Sequence, residues 1–226
     1  SVLSAMIERR NWLQSVERES GSVLKVNAEK ADQAVEELDW KKLLELYGVN
    51  FPMEFMAKTV DEAVDYSNKI EGAVAIKLVS DDISHKSDIG GVVLGVETDE
   101  EVRAAWNKIE SAVKAHDGSM KGVIVQEMVM NTPEVITGFV RDDQFGPMVL
   151  FGSGGTDVEL YKDVEMGIAP LSETAASELM KRTRIHKKLT AWRQFPESDI
   201  KSVIGVLQAL GQIAIDYPQI KELEIN

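Results

Sequence analysis

Lys77-Leu-Val-Ser-Asp-Asp-Ile-Ser-His85-Lys86-Ser-Asp-Ile-Gly90-Gly91 decides how the rest of this chain is read. The apolar, β-branched run over 74–79 predicts a strand that delivers Lys77. A polar turn with His85 and Lys86 follows, and Gly90-Gly91 leads into a second strand over 91–96. A lysine gives phosphate a point charge, and glycine-flanked backbone N–H groups let an anion approach closely. On its own the pattern is also that of ordinary strand–turn–strand punctuation. His85 is placed to accept a phosphoryl group on a neutral imidazole, a form its cationic neighbour Lys86 favours.

Composition narrows what such a turn can serve. The chain has 226 residues, 44% hydrophobic and 28% charged, the profile of an ordinary globular protein with ample core. A net charge of −13 argues against nucleic acid or an anionic membrane as partner, so a polyanionic ligand must be met by local positive charge. The absence of cysteine excludes a disulfide framework, a thiolate metal site and thiol catalysis. The first apolar run breaks at Glu8, too early for a signal peptide, and no stretch approaches the roughly 20 apolar residues of a membrane span. A soluble, cytoplasmic protein is expected.

Helix signals come from caps. Residues 1–38 read as one or two helices broken near Gly21, with Asn27 as a cap. Asp39 caps a helix from Trp40 to Tyr47 that Gly48 ends. Thr59 with Glu62, and Thr98 with Glu101, form capping boxes, and Val102, Trp106, Ile109 and Val113 give the second helix one apolar face. His116-Asp-Gly-Ser reads as a loop. Strands are expected over 123–129, 134–141 and 147–151. Helices are expected from Ser172 to about Arg184 and from Glu197 or Ser198 to Asp216, with a closing strand over 221–226. Alternating and then clustering elements suggest two α+β lobes.

Three further constellations carry chemistry. Glu127 and Glu134 stand seven apart around Met130, so a strand-to-strand linker offers carboxylates and a main-chain edge to an adenine amine and to ribose hydroxyls. Two surface glutamates on a hairpin would read the same way. Phe151-Gly-Ser-Gly154-Gly155-Thr-Asp-Val-Glu159 has a backbone with little steric cover, suited to a phosphoryl group or to another protein's reactive loop. It is equally a flexible connection. Glu224 and Asn226 alternate on the last strand and share a face, where two oxygen ligands suit Mg²⁺ bridging nucleotide phosphates.

The string His85-Lys-Ser-Asp-Ile-Gly-Gly-Val92 resembles the signature of the ATP-grasp β subunit, or domain, of ADP-forming acyl-CoA synthetases, of the acetate–CoA ligase type in the succinyl-CoA synthetase superfamily. Leu46-Tyr-Gly-Val49, Ile76-Lys-Leu-Val-Ser80, Gly122-Val-Ile-Val-Gln126, Arg141-Asp-Asp-Gln-Phe-Gly-Pro147, Tyr161-Lys-Asp-Val164, Ala169-Pro-Leu171 and the terminal strand extend the resemblance over residues 36–226. It implies an α+β ATP-grasp fold, two lobes with the nucleotide cleft between them. Lobe 1 would cover 36–121 and lobe 2 would cover 122–226, after an N-terminal helical extension over 1–35. A further metal-binding aspartate of the superfamily lies downstream of the closing strand, so the second lobe is expected to be cut short at Asn226.

The implied reaction is acyl-CoA + ADP + phosphate ⇌ acid + ATP + CoA, with ATP/ADP and Mg²⁺ as cofactors and a cytoplasmic setting. A CoA-binding α subunit or fused domain, carrying its own phosphohistidine, would be the partner in a hetero-oligomer. By the same resemblance, His85 relays the phosphoryl group and Glu159 meets it. Lys77, Gly90, Gly91, Gly154 and Gly155 hold phosphates, Glu127, Met130 and Glu134 hold the nucleoside, and Glu224 and Asn226 bind Mg²⁺. The chain departs from the family at Ala191-Trp-Arg-Gln194, where Gly-aromatic-Arg-Gly is common, and at Gly167, where arginine is frequent near what is expected to be a phosphate site. Two alternatives remain: a stand-alone ATP-grasp ligase joining a carboxylate to an amine, and a nucleotide-sensing domain without catalysis.

Overall fold

A computed structural model describes residues 24–83, 86–129, 132–155, 163–190 and 196–225. Helices α1 (Ala28–Glu36) and α2 (Trp40–Leu46) precede β1 (Glu54–Ala57), α3 (Val60–Ser67), β2 (Val74–Val79) and β3 (Val92–Val96). Helix α4 (Asp99–Ala115), then β4 (Gly122–Glu127), β5 (Val135–Asp142), β6 (Gly146–Ser153) and β7 (Val164–Ile168) follow. The chain closes with α5 (Glu173–Lys181), α6 (His186–Leu189), α7 (Ile200–Asp216) and β8 (Glu222–Ile225). Among the described residues no helix is long and apolar enough to cross a membrane.

The strands form two antiparallel sheets, ordered β1-β4-β2-β3 and β7-β6-β5-β8. The chain divides into two compact units, Phe51–Met130 and the flanking Ser1–Asn50 with Asn131–Asn226. In the first, strand alternation sends Ile76, Leu78, Val123 and Val125 to one face, where they are fully buried with Val102 and Ile109 of α4 and Ala63 of α3. The opposite face carries Lys77, Ile124, Gln126, Glu54 and Met56. In the other unit, Phe139, Val149 and Phe151 share the buried face of the second sheet with Leu207, Leu210 and Ile213 in the core.

The expected boundary at 121/122 does not hold. β4 is an inner strand of the first sheet, bonded to β1 on one side and β2 on the other, because Val123 and Val125 fit its apolar face. Nor do the early helices belong with the first lobe. The Tyr47 hydroxyl donates to Asp216 at 2.7 Å and that of Tyr217 to Asp32 at 3.0 Å, tying α1 and α2 to the end of α7.

Most caps are as the sequence predicts. Asn27 and Asp39 accept from Lys30 N–H and Lys42 N–H, and Thr98 with Glu101 makes a complete capping box. Gly48, at φ 86°, lets Val49 N–H close back onto the Leu44 carbonyl as a helix stop. Glu62 instead reaches past its cap to Lys58 N–H. Helix α7 is capped by Asp199 rather than by the residues before it. Strands β1 and β7 and the short α6 are additional to the expected elements. Both strands are edges of four and five residues, too short to show alternation. Arg141 of the quoted motif donates to the Ala214 carbonyl at 2.6 Å, satisfying the last turn of α7.

Candidate functional site

Lys77 lies on the face of the first sheet opposite its buried apolar face, half-buried, with its Nζ 2.5 Å from the Gln126 side-chain oxygen. The Gln126 amide nitrogen in turn donates to the Glu54 carboxylate at 2.8 Å. Register makes this row: Glu54 stands directly opposite Gln126, and Lys77 pairs with Ile124 two residues away on the same face. Neither Glu54 nor Gln126 was among the expected site residues. Next to the row, Glu127 is exposed and exchanges main-chain and side-chain bonds with Met53: Met53 N–H donates to its carboxylate at 3.0 Å, and Glu127 N–H to the Met53 carbonyl at 2.7 Å.

The Gly90-Gly91 turn differs from expectation. Gly90 N–H donates to the Ser87 carbonyl and Gly91 N–H to the Lys86 carbonyl, so both amides close the turn itself rather than facing an anion. The glycines have other reasons to be there. Gly90 has φ 77°, and a Cβ on Gly91 would lie 2.8 Å from the Lys86 carbonyl and 3.2 Å from Leu78 Cβ.

Two separately nominated segments do meet. Gly154 N–H donates to the Glu134 carbonyl at 2.8 Å, and a Cβ on Gly155 (φ 62°) would collide with the Glu134 carboxylate. The base of this loop is pinned by Asp163, a residue of the Tyr161-Lys-Asp-Val164 motif with no expected role. Asp163 is buried and accepts from the Ser153 hydroxyl (2.7 Å), Arg184 N–H (2.8 Å) and Ile185 N–H (2.9 Å). Burial pushes its carboxyl up, but the Arg184, Ser153 and Ile185 bonds and the Arg184 charge outweigh that and hold it below the usual aspartate range.

Glu224 is exposed on β8, opposite Gly138. Among the described residues no group of three or more acidic or histidine side chains could hold a metal ion. A Mg²⁺ that keeps its waters and shares phosphate oxygens takes only one or two carboxylates, which Glu224 fits. His85, Met130, Glu159 and Asn226, and the departure at 191–194, lie outside the described residues.

The departure at Gly167 touches packing. Gly167 pairs with Val149, on the sheet face opposite that of Glu224. Its Cβ direction meets Leu171 at 3.0 Å beside a cavity of about 400 Å³ lined by Leu171, Ala175, Glu178, Leu179 and Arg182.

Residues 25–226 match a family described as an ATP-grasp domain. The β subunit of acetate–CoA ligase (ADP-forming) I from Pyrococcus furiosus is 37% identical over 188 residues, 82% of this chain and 81% of that subunit. The acetate–CoA ligase (ADP-forming) I of Archaeoglobus fulgidus is 35% identical over 89% of this chain, which spans 31% of that protein. Among solved structures, the dinucleotide-forming acetyl-coenzyme A synthetase 1 of Ca. Korarchaeum cryptofilum, with coenzyme A and Mg-AMPPCP and its phosphohistidine segment pointing towards the nucleotide site, superposes with a TM-score of 0.71 at 33% identity. It covers 88% of this chain and 90% of that one.

Proposed function

Since this chain belongs to the ATP-grasp family, among the β subunits and domains of the ADP-forming acetate–CoA ligases, we propose that it is the nucleotide-binding part of an ADP-forming acyl-CoA synthetase. Such an acid–thiol ligase runs acyl-CoA + ADP + phosphate ⇌ acid + ATP + CoA, here with a CoA-binding α subunit or fused domain as partner, in the cytoplasm. The observation that carries the reading is the contact of Glu134 with the Gly154-Gly155 turn, since it sets side by side the carboxylate assigned here to the ribose and the turn assigned here to phosphate.

In this reading Lys77 holds nucleotide phosphate with a point charge, and the turn at Gly154 and Gly155, whose Gly154 N–H is already given to the Glu134 carbonyl, meets phosphate through its lack of side-chain cover. Glu127 and Met130 face the adenine, and Glu134 takes the ribose hydroxyls. His85 would receive the phosphoryl group from the partner's phosphohistidine, with Glu159 as its polar partner. Glu224 and Asn226 would hold Mg²⁺, which supplies charge neutralisation as the phosphoryl group moves to ADP. Catalysis then comes mostly from positioning and electrostatic stabilisation, as it does in phosphoryl transfer generally.

Calorimetric titration with Mg-ADP and Mg-ATP tests this. Wild type should bind both, and Lys77→Ala should weaken Mg-ATP at least about tenfold, as expected for removing a charged partner of phosphate. Absence of binding by wild type would favour a nucleotide site without function. Adding the CoA-binding partner should then give ATP formation that depends on acyl-CoA, ADP and phosphate and that His85→Asn abolishes.

A further inference from the structure

We infer that Glu54 and Gln126 are positioning residues for Lys77: the Glu54 carboxylate fixes the Gln126 amide so that its oxygen faces the lysine ammonium. This rests on the reading of Lys77 as a phosphate-binding group. A primary amide presents an acceptor at one end and two donors at the other, and its shape barely distinguishes them. With nothing to choose between the ends, the NH₂ could face the lysine, donor against donor. Glu54 removes that choice. A carboxylate only accepts, so it draws the NH₂ at 2.8 Å and leaves the amide oxygen to Lys77 at 2.5 Å.

The backbone supplies the alignment. Glu54 and Gln126 are a direct cross-strand pair of β1 and β4, and Lys77 comes from β2 on the other side of β4. The three side chains thus form one row on one face of three adjacent strands, each half-buried. An ammonium has three protons on a four-carbon stem with considerable rotamer freedom. Giving one proton to a fixed acceptor restricts the stem and aims the other two. The neutral amide between Glu54 and Lys77 also keeps the lysine from pairing directly with that carboxylate, so its charge stays available to a polyanion.

The sign of one substitution separates positioning from simple charge. Glu54→Gln removes a negative charge, which by Coulomb's law alone would tighten binding of a polyanion. Positioning predicts the reverse, because the Gln126 amide can then turn either end to Lys77. Mg-ATP titrations of wild type, Glu54→Gln, Gln126→Met and the double variant form a cycle. Glu54→Gln should weaken Mg-ATP about three- to tenfold in the wild-type background and leave it unchanged in the Gln126→Met background, since coupled neighbours are non-additive. Tighter or unchanged binding in the single variant, or an equal loss in both backgrounds, overturns the inference.

A second readout needs no nucleotide. Lys77 labelling by an amine-reactive reagent, quantified by mass spectrometry against Lys69 and Lys108, should rise severalfold in both single variants. A general loss of structure would raise all three lysines together, and no rise at Lys77 overturns the inference. If wild type binds no Mg-ATP, the nucleotide reading fails and the labelling result alone decides whether the row holds the lysine.

Discussion

Asp163 gathers two main-chain N–H groups from the chain after α5 and a hydroxyl from the end of β6 onto a single carboxylate. Its neighbours in sequence, Tyr161-Lys-Asp-Val, give no hint of this, because the partners lie ten and more than twenty residues away. The charge matters because burial alone would expel it. Asp163→Asn keeps the shape but offers one acceptor oxygen and points an NH₂ at donors. It should cost about 2–4 kcal/mol in urea unfolding at pH 7, the range for breaking a buried charged network. The pH dependence has a definite sign. The folded carboxyl titrates below its unfolded value near 3.9, so its stabilisation is complete above about pH 4 and lost as pH falls through the folded value. The gap between wild type and Asp163→Asn should be constant from pH 5 to 7 and narrow below about pH 4. A gap that persists unchanged to pH 2 would mean the charge contributes nothing.

At the scale of elements, what the sequence discloses follows from how local the causes are. Helix starts are legible because a cap and its N–H partner lie three residues apart, as at Asn27, Asp39 and Thr98. The edge strands β1 and β7 are not, since each is defined by the neighbour that pairs with it. That omission hid a contact: without β1 there is no register to bring Glu54 against Gln126. Lys77, Glu134 and the Gly154-Gly155 turn stand out by residue type, but the meeting of the last two depends on a bond across two strand ends. The glycines after His85 have structural reasons of their own. They shape the turn, and their N–H groups are already bonded within it. The two positions should therefore respond differently. Gly91→Ala drives a methyl into the Lys86 carbonyl and Leu78 and should cost about 1–3 kcal/mol, as overpacking does. Gly90 has open space and only its positive φ to satisfy, so Gly90→Asn should cost under about 1 kcal/mol in thermal melts. Equal losses at both positions would contradict this account of the turn.

For the molecule as a whole, the decisive fact is that residues 51–130 are an uninterrupted unit set between two segments that belong together. Sequence reasoning divides such a chain wherever composition changes, and nothing in α1 or α2 announces that its partner lies more than 160 residues onward. The tie is two buried tyrosines, Tyr47 and Tyr217, donating to the exposed carboxylates of Asp216 and Asp32. Burial, followed by the Asp32 bond and charge, pushes the Tyr217 hydroxyl up to about 12, and burial and the Asp216 bond push Tyr47 up as well. A tyrosinate could neither donate to a carboxylate nor sit beside it unpaired. Because the folded value exceeds the unfolded value near 10, this contribution is fully present below about pH 10 and disappears as pH rises through the folded value. Tyr217→Phe should therefore cost about 1 kcal/mol at pH 8, the net worth of one such bond, and lose less further stability than wild type between pH 10 and 12. Urea unfolding across that window, followed by the far-ultraviolet signal, makes the comparison. If both proteins lose stability in parallel, the tyrosine–carboxylate bonds do not fasten the N-terminal helices to the end of α7, and apolar packing alone joins them.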